Sequence, residues 1–141
     1  MTKLIVEKKR GQKTVIVVDD NDDILSLFVE LLEMKDFKVI GTGSNGMDAI
    51  ELFQKLKPDI TILDVVMPNV DGLYALRQIR EIDPNSIVIM ITSDISENMA
   101  KRIEDLKATA VIYKPFEIND LVKIVNNLES DENTDEIKFF N

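Results

Sequence analysis

The chain has 141 residues, 45% of them hydrophobic and 30% charged, with no cysteine, no histidine and a formal net charge of −9. That length suits one domain whose core needs no disulfide or structural metal, and the missing residue types exclude thiolate zinc sites, cysteine nucleophiles and histidine bases or phosphoacceptors. The acidity argues against a nucleic-acid-binding surface and no apolar run approaches the ~20 residues of a membrane span, so the expectation is a soluble cytoplasmic protein without nucleic-acid or membrane partners.

Residues 1–13 carry five basic side chains and one acidic one, and read as a flexible basic segment. TVIVV (14–18) is a buried strand. From Asp22 to Lys35, Ile24, Phe28 and Leu31 with Leu25, Val29 and Leu32 form a wide helical stripe, and Asn21 or Asp22 suits its N-terminus. FKVIGT (37–42) is a second strand; turn residues Gly43 to Gly46 follow, then a helix with Met47, Ile50 and Phe53 on one face. Pro58 stops that helix, and DITIL (59–63) is the third strand.

GLYALRQIREI (72–82) is a helix, with Gly72 serving a close backbone approach or a positive φ before it. Asp83-Pro84-Asn85 is a turn and SIVIMI (86–91) a fourth strand. A helix over about 96–107, a short strand AVIY (110–113) and a helix over 117–128 complete five β-then-α repeats. Residues 129–141 carry five acidic side chains and one basic one, and read as a mobile acidic tail whose Ile137-Lys138-Phe139-Phe140 end is suited to docking on a partner. Strands that are continuously apolar are covered on both faces, which implies a parallel sheet with helices on each side. The functional crevice of such a sheet lies beyond the carboxyl ends of its strands.

Each of those ends is polar. The first strand ends in Asp19-Asp20, the third in Asp64, the fourth in Thr92 and the fifth in Lys114-Pro115. Gathered together, each carboxylate pair would repel by roughly 4 kcal/mol at ~4 Å and an effective dielectric of ~20. Lys114 offsets part of this and a divalent cation offsets more. With oxygen ligands alone the ion is hard, Mg²⁺, Mn²⁺ or Ca²⁺, and a few carboxylates with open positions suit Mg²⁺.

The runs VVDDNDDI (17–24), LDVVMPNVDG (63–72), ITSD (91–94) and YKPF (113–116) together resemble the receiver domain of two-component response regulators, over about residues 14–128. The resemblance is to single-domain, chemotaxis-regulator-like members. It implies a flavodoxin-like (βα)5 fold, doubly wound, with strand order 2-1-3-4-5. It also implies a phosphorylation-controlled switch, not a turnover enzyme, in which Asp64 accepts a phosphoryl group from a phosphohistidine on a histidine kinase or phosphotransfer protein. Asp20 would ligate Mg²⁺ directly, Asp19 through water, and the Val66 backbone carbonyl would complete the protein ligands beside Asp64. Lys114, before a cis peptide bond to Pro115, would pair with Asp64 and then with the phosphoryl group, to which Thr92 would donate its hydroxyl. Val66 and Asp94, each two residues beyond a site residue, would tune the phosphate's lifetime. With no effector domain expected, output would be protein–protein contact through the strand 4–helix 4–strand 5–helix 5 face.

Two departures bear on the switch. Val111 stands where receivers usually carry an aromatic residue that moves with the strand-4 threonine, and Tyr113, of the same strand parity, is a candidate to replace it. Lys107-Ala108-Thr109 lacks the glycine often found before the fifth strand. The alternative these departures keep open is a phosphorylation-independent interaction scaffold. An aspartyl-phosphate phosphatase needs an acid where Val66 stands, and a flavin protein needs a phosphate cradle where Asp19 and Asp20 would repel phosphate.

Overall fold

The computed structural model describes residues 11–130 and 137–140. Eleven elements follow in order: β1 (Thr14–Val18), α1 (Asp22–Met34), β2 (Lys38–Gly43), α2 (Gly46–Leu56), β3 (Ile60–Asp64), α3 (Gly72–Ile82), β4 (Ile87–Thr92), α4 (Glu97–Asp105), β5 (Ala110–Tyr113), α5 (Ile118–Ser130) and β6 (Lys138–Phe140). They build one parallel sheet in the order β2-β1-β3-β4-β5-β6. The expected 2-1-3-4-5 arrangement is present, flavodoxin-like, with one further strand beyond β5.

Alternation of side chains along each strand divides the interior into two cores. Ile16, Val18, Leu63, Val88, Met90 and Val111 face α2, α3 and α4, packing on Phe53, Leu76, Ile79 and Ile103. Val15, Val17, Ile60, Ile62, Ile89, Ile91 and Ile112 face α1 and α5, packing on Phe28, Leu32, Leu121 and Val125. The continuous apolar runs read from the sequence are thus buried on both sides.

Helix starts follow local chemistry. Asn21 caps α1 by accepting from the Asp23 and Ile24 amides, Asn45 caps α2, Asp71 caps α3 and Ser96 caps α4. Lys57, in the left-handed region, ends α2 just before Pro58. Arg80 is a packing device no sequence pattern announces. Its guanidinium donates to the carbonyls of Lys107 (2.7 Å) and Ser86 (2.8 Å) and to the Thr109 hydroxyl (3.1 Å), tying α3 to the start of β4 and the α4–β5 turn.

The chain's end departs from expectation. α5 continues to Ser130, and Lys138–Phe140 pairs with β5 instead of forming part of a mobile tail. Three residues that follow an acidic run are too few to announce a strand by alternation. They pair because the β5 edge is open, and edges of sheets recruit strands. Residues 1–10 of the expected basic segment, and 131–136 and 141 of the expected tail, lie outside the described residues.

Candidate functional site: an acidic crevice at the carboxyl edge of the sheet

Adjacent register puts the ends of β1, β3, β4 and β5 side by side. Val18 lies beside Leu63, Asp64 beside Ile91 and Thr92 beside Tyr113, so the residues that follow open into one crevice. Carboxylate oxygens of Asp19, Asp20 and Asp64 lie within 4.8 Å of one another. Asp19 and Asp64 are buried, at 2% and 6% exposure, while Asp20 is open to solvent.

Hydrogen bonds fix the cluster from behind. Asp19 accepts from the Asn21 amide through Oδ1 (2.9 Å), and its own amide donates to the Gly43 carbonyl (3.1 Å). The backbone after Asp64 is held by Val65 N–H to Ile91 O (3.0 Å) and Gly72 N–H to Val65 O (2.9 Å). Gly72 serves close approach, without positive φ: a Cβ there would overlap the Asp64 carbonyl.

Lys114 enters from β5 and donates from Nζ to Asp64 Oδ2 at 3.4 Å. The Lys114–Pro115 peptide bond is cis. Burial pushes the Asp64 carboxyl above its ordinary range, Lys114 opposes that shift, and the charges of Asp19 and Asp20 add to it. Thr92 is buried, and its Oγ1 accepts from the Asp94 amide at 3.0 Å, leaving the hydroxyl hydrogen to be donated. Asp94 Oδ1 in turn accepts from the Ser96 amide, and hydrogen bonding from the Ser96 side chain and then that amide holds its exposed carboxyl below the ordinary range.

The cluster fits a hard cation. Asp19 Oδ2 is buried without a hydrogen-bond partner, an acceptor of the type such an ion satisfies. The donor set around it is all oxygen, one carboxylate facing solvent. Val66, expected to contribute its carbonyl, has a 70% exposed side chain.

The two switch candidates sit differently. Val111 is fully buried in the core under α4. Tyr113 is half-buried, and its ring stacks on Phe139 of β6 at a centroid distance of 6.4 Å and 17° between planes. Sequence reasoning missed this pairing, because nothing in an acidic terminal run says which strand it will join.

Fold and crevice define a doubly wound α/β protein with a buried carboxylate placed between two further acids and a lysine. The model of the response regulator receiver domain family matches residues 15–126, and the chain belongs to that family. It is 33% identical over 118 residues to the chemotaxis protein CheY of Thermotoga maritima, covering 82% of this chain and 97% of that protein. It is 32% identical over 116 residues to CheY of Halobacterium salinarum, covering 82% and 96%. Among solved structures, the CheX–CheY–BeF3–Mg²⁺ complex from Borrelia burgdorferi is similar with a TM-score of 0.79 and 27% identity, over 87% of this chain and 98% of that one. The protein is thus a CheY-like receiver domain of the two-component response regulators, a family of signalling switches that are generally not turnover enzymes.

Proposed function

We propose that this receiver accepts a phosphoryl group on Asp64 from the phosphohistidine of a histidine kinase or phosphotransfer protein, in a Mg²⁺-dependent reaction, and signals through protein–protein contact. The observation that carries this reading is the position of the Asp64 carboxylate, near Asp19 and Asp20 and 3.4 Å from the Lys114 ammonium. A Asp64 oxygen attacks phosphorus, the P–N bond to the donor imidazole breaks, and the imidazole nitrogen keeps the electron pair. An ionised carboxylate needs no general base, so the absence of histidine is no obstacle.

Asp19, Asp20, Asp64 and the Val66 carbonyl would hold Mg²⁺, with Mn²⁺ as a substitute. When bound, the ion neutralises charge on the transferring group. Lys114 would share that task from the β5 side, and the Thr92 hydroxyl would donate to a phosphoryl oxygen. Val66 and Asp94, two residues beyond Asp64 and Thr92, would flank the path of water to the acyl phosphate and so influence its lifetime.

The added charge would bias the β4–α4–β5–α5 face toward a partner-binding arrangement, with Thr92 and Tyr113 as the moving parts and Val111 a fixed core residue. The family match at 15–126 supports taking 14–128 as the receiver unit. Among the described residues no helix is long and apolar enough to cross a membrane, and the reading places the reaction in the cytoplasm.

The test is intact-mass spectrometry after incubation with a small acyl phosphate and Mg²⁺. A gain of one phosphoryl group in the wild type, absent in Asp64→Asn, is the expected result. No gain in either protein would leave the phosphorylation-independent scaffold as the better reading.

A further inference from the structure

β6 has three residues and pairs along one edge only, Lys138 with Ala110, Phe139 with Val111 and Phe140 with Ile112. Its side chains nevertheless engage both faces of the sheet. Ile137 packs on the core that holds Val111 and Ile103, Phe139 stacks on Tyr113 of the same face, and Phe140 packs on the core that holds Ile112. The edge of β5 therefore recognises an extended segment by ladder hydrogen bonds and by alternating apolar contacts, as sheets that bind peptides by strand addition do.

Two features mark this occupant as exchangeable. A three-residue ladder is short for a strand, and Phe139 remains 39% exposed, so its burial is incomplete. Such weakly held elements open independently of the global fold. The edge also adjoins the site, since Tyr113 precedes the lysine that pairs with Asp64.

We propose that the β5 edge is a strand-accepting docking surface held by the chain's own Ile137–Phe140 segment, which competes for it with a partner's extended segment of the same chemistry: an aliphatic residue, a cation and two consecutive aromatics. The inference rests on the functional reading above only in taking β5 as part of the output face. Its test involves no phosphoryl transfer, so either claim can fail alone.

A fluorescent synthetic peptide with the sequence of residues 135–141 is titrated into the full-length wild type, Lys138→Pro and the double variant Phe139→Ala/Phe140→Ala, each checked for folding by circular dichroism. Lys138→Pro removes the amide that donates to the Thr109 carbonyl at 3.3 Å and leaves the aromatics in place. Both variants are expected to bind the peptide at least about tenfold more tightly than the wild type, whose tethered segment competes at an effective concentration near the millimolar range. Hydrogen exchange of the Lys138 amide in the wild type is expected to be at least about 10²-fold faster than that of β3 amides. Equal peptide affinity for all three proteins, or binding to none, overturns the proposal. So does a Lys138 amide protected as strongly as β3, because the segment would then open only with the whole fold.

Discussion

The Lys114 ammonium lies 3.4 Å from Asp64 Oδ2, a contact between residues fifty positions apart that joins the ends of β5 and β3 across the end of β4. Its charge opposes the burial that raises the Asp64 carboxyl.

Lys114→Met keeps most of the stem and removes the charge. Phosphorylation of Asp64 by a small acyl phosphate should slow on the order of 10²-fold, the scale of losing one positioned charge-stabilising donor. The metal-free Asp64 titration, followed by carboxyl ¹³C shifts, should move to higher pH. A rate within twofold of wild type would remove Lys114 from the transfer step.

A divalent ion held by the carboxylate cluster would couple to folding. Mg²⁺ at about 100 times its dissociation constant should add about 2.7 kcal/mol to stability, seen as a rise in melting temperature. Asp20→Asn should abolish most of that rise. An equal rise in the variant would show that the ion binds elsewhere.

The pH dependence of stability has a definite sign. Burial holds the Asp64 carboxyl above its ordinary value, so the folded chain binds this proton more tightly than the unfolded chain. The resulting stability is fully present below the ordinary carboxylate value and is lost as pH rises through the folded value. Without metal, Asp64→Asn should therefore melt a few degrees higher than wild type at pH 7, and the difference should shrink toward acid pH. A variant less stable at pH 7 would contradict the assignment.

Gly72 tests the backbone behind Asp64. A methyl group there meets the Asp64 carbonyl, which belongs to the main chain and has little room to yield. Gly72→Ala should cost at least about 1–3 kcal/mol in urea unfolding, and should impair Mg²⁺ binding by displacing Asp64.

Most of the fold was legible because its signals are local. Five apolar runs separated by amphipathic stretches define alternating strands and helices, and capping by Asn21 follows from its own side chain. The crevice was legible for a related reason: in a parallel sheet the residues after each strand share one edge, so Asp19, Asp20, Asp64, Thr92 and Lys114 are neighbours once the topology is known. Gly72 was legible as a special position, but only the packed structure decided that close approach to Asp64, without positive φ, is what it serves.

What tertiary structure alone decided is non-local. Arg80 sits in an ordinary helical pattern, and its role arises from carbonyls and a hydroxyl that α4, β4 and β5 bring around it. The pairing of Lys138–Phe140 with β5, and of Phe139 with Tyr113, joins a terminal segment to an edge whose openness no run of residues records. Residue order determined the strands and the acids at their ends, through periodicity and polarity along the chain. The occupant of the last edge was decided only by three-dimensional packing, because strand pairing depends on which backbone groups remain unpaired after the rest has folded.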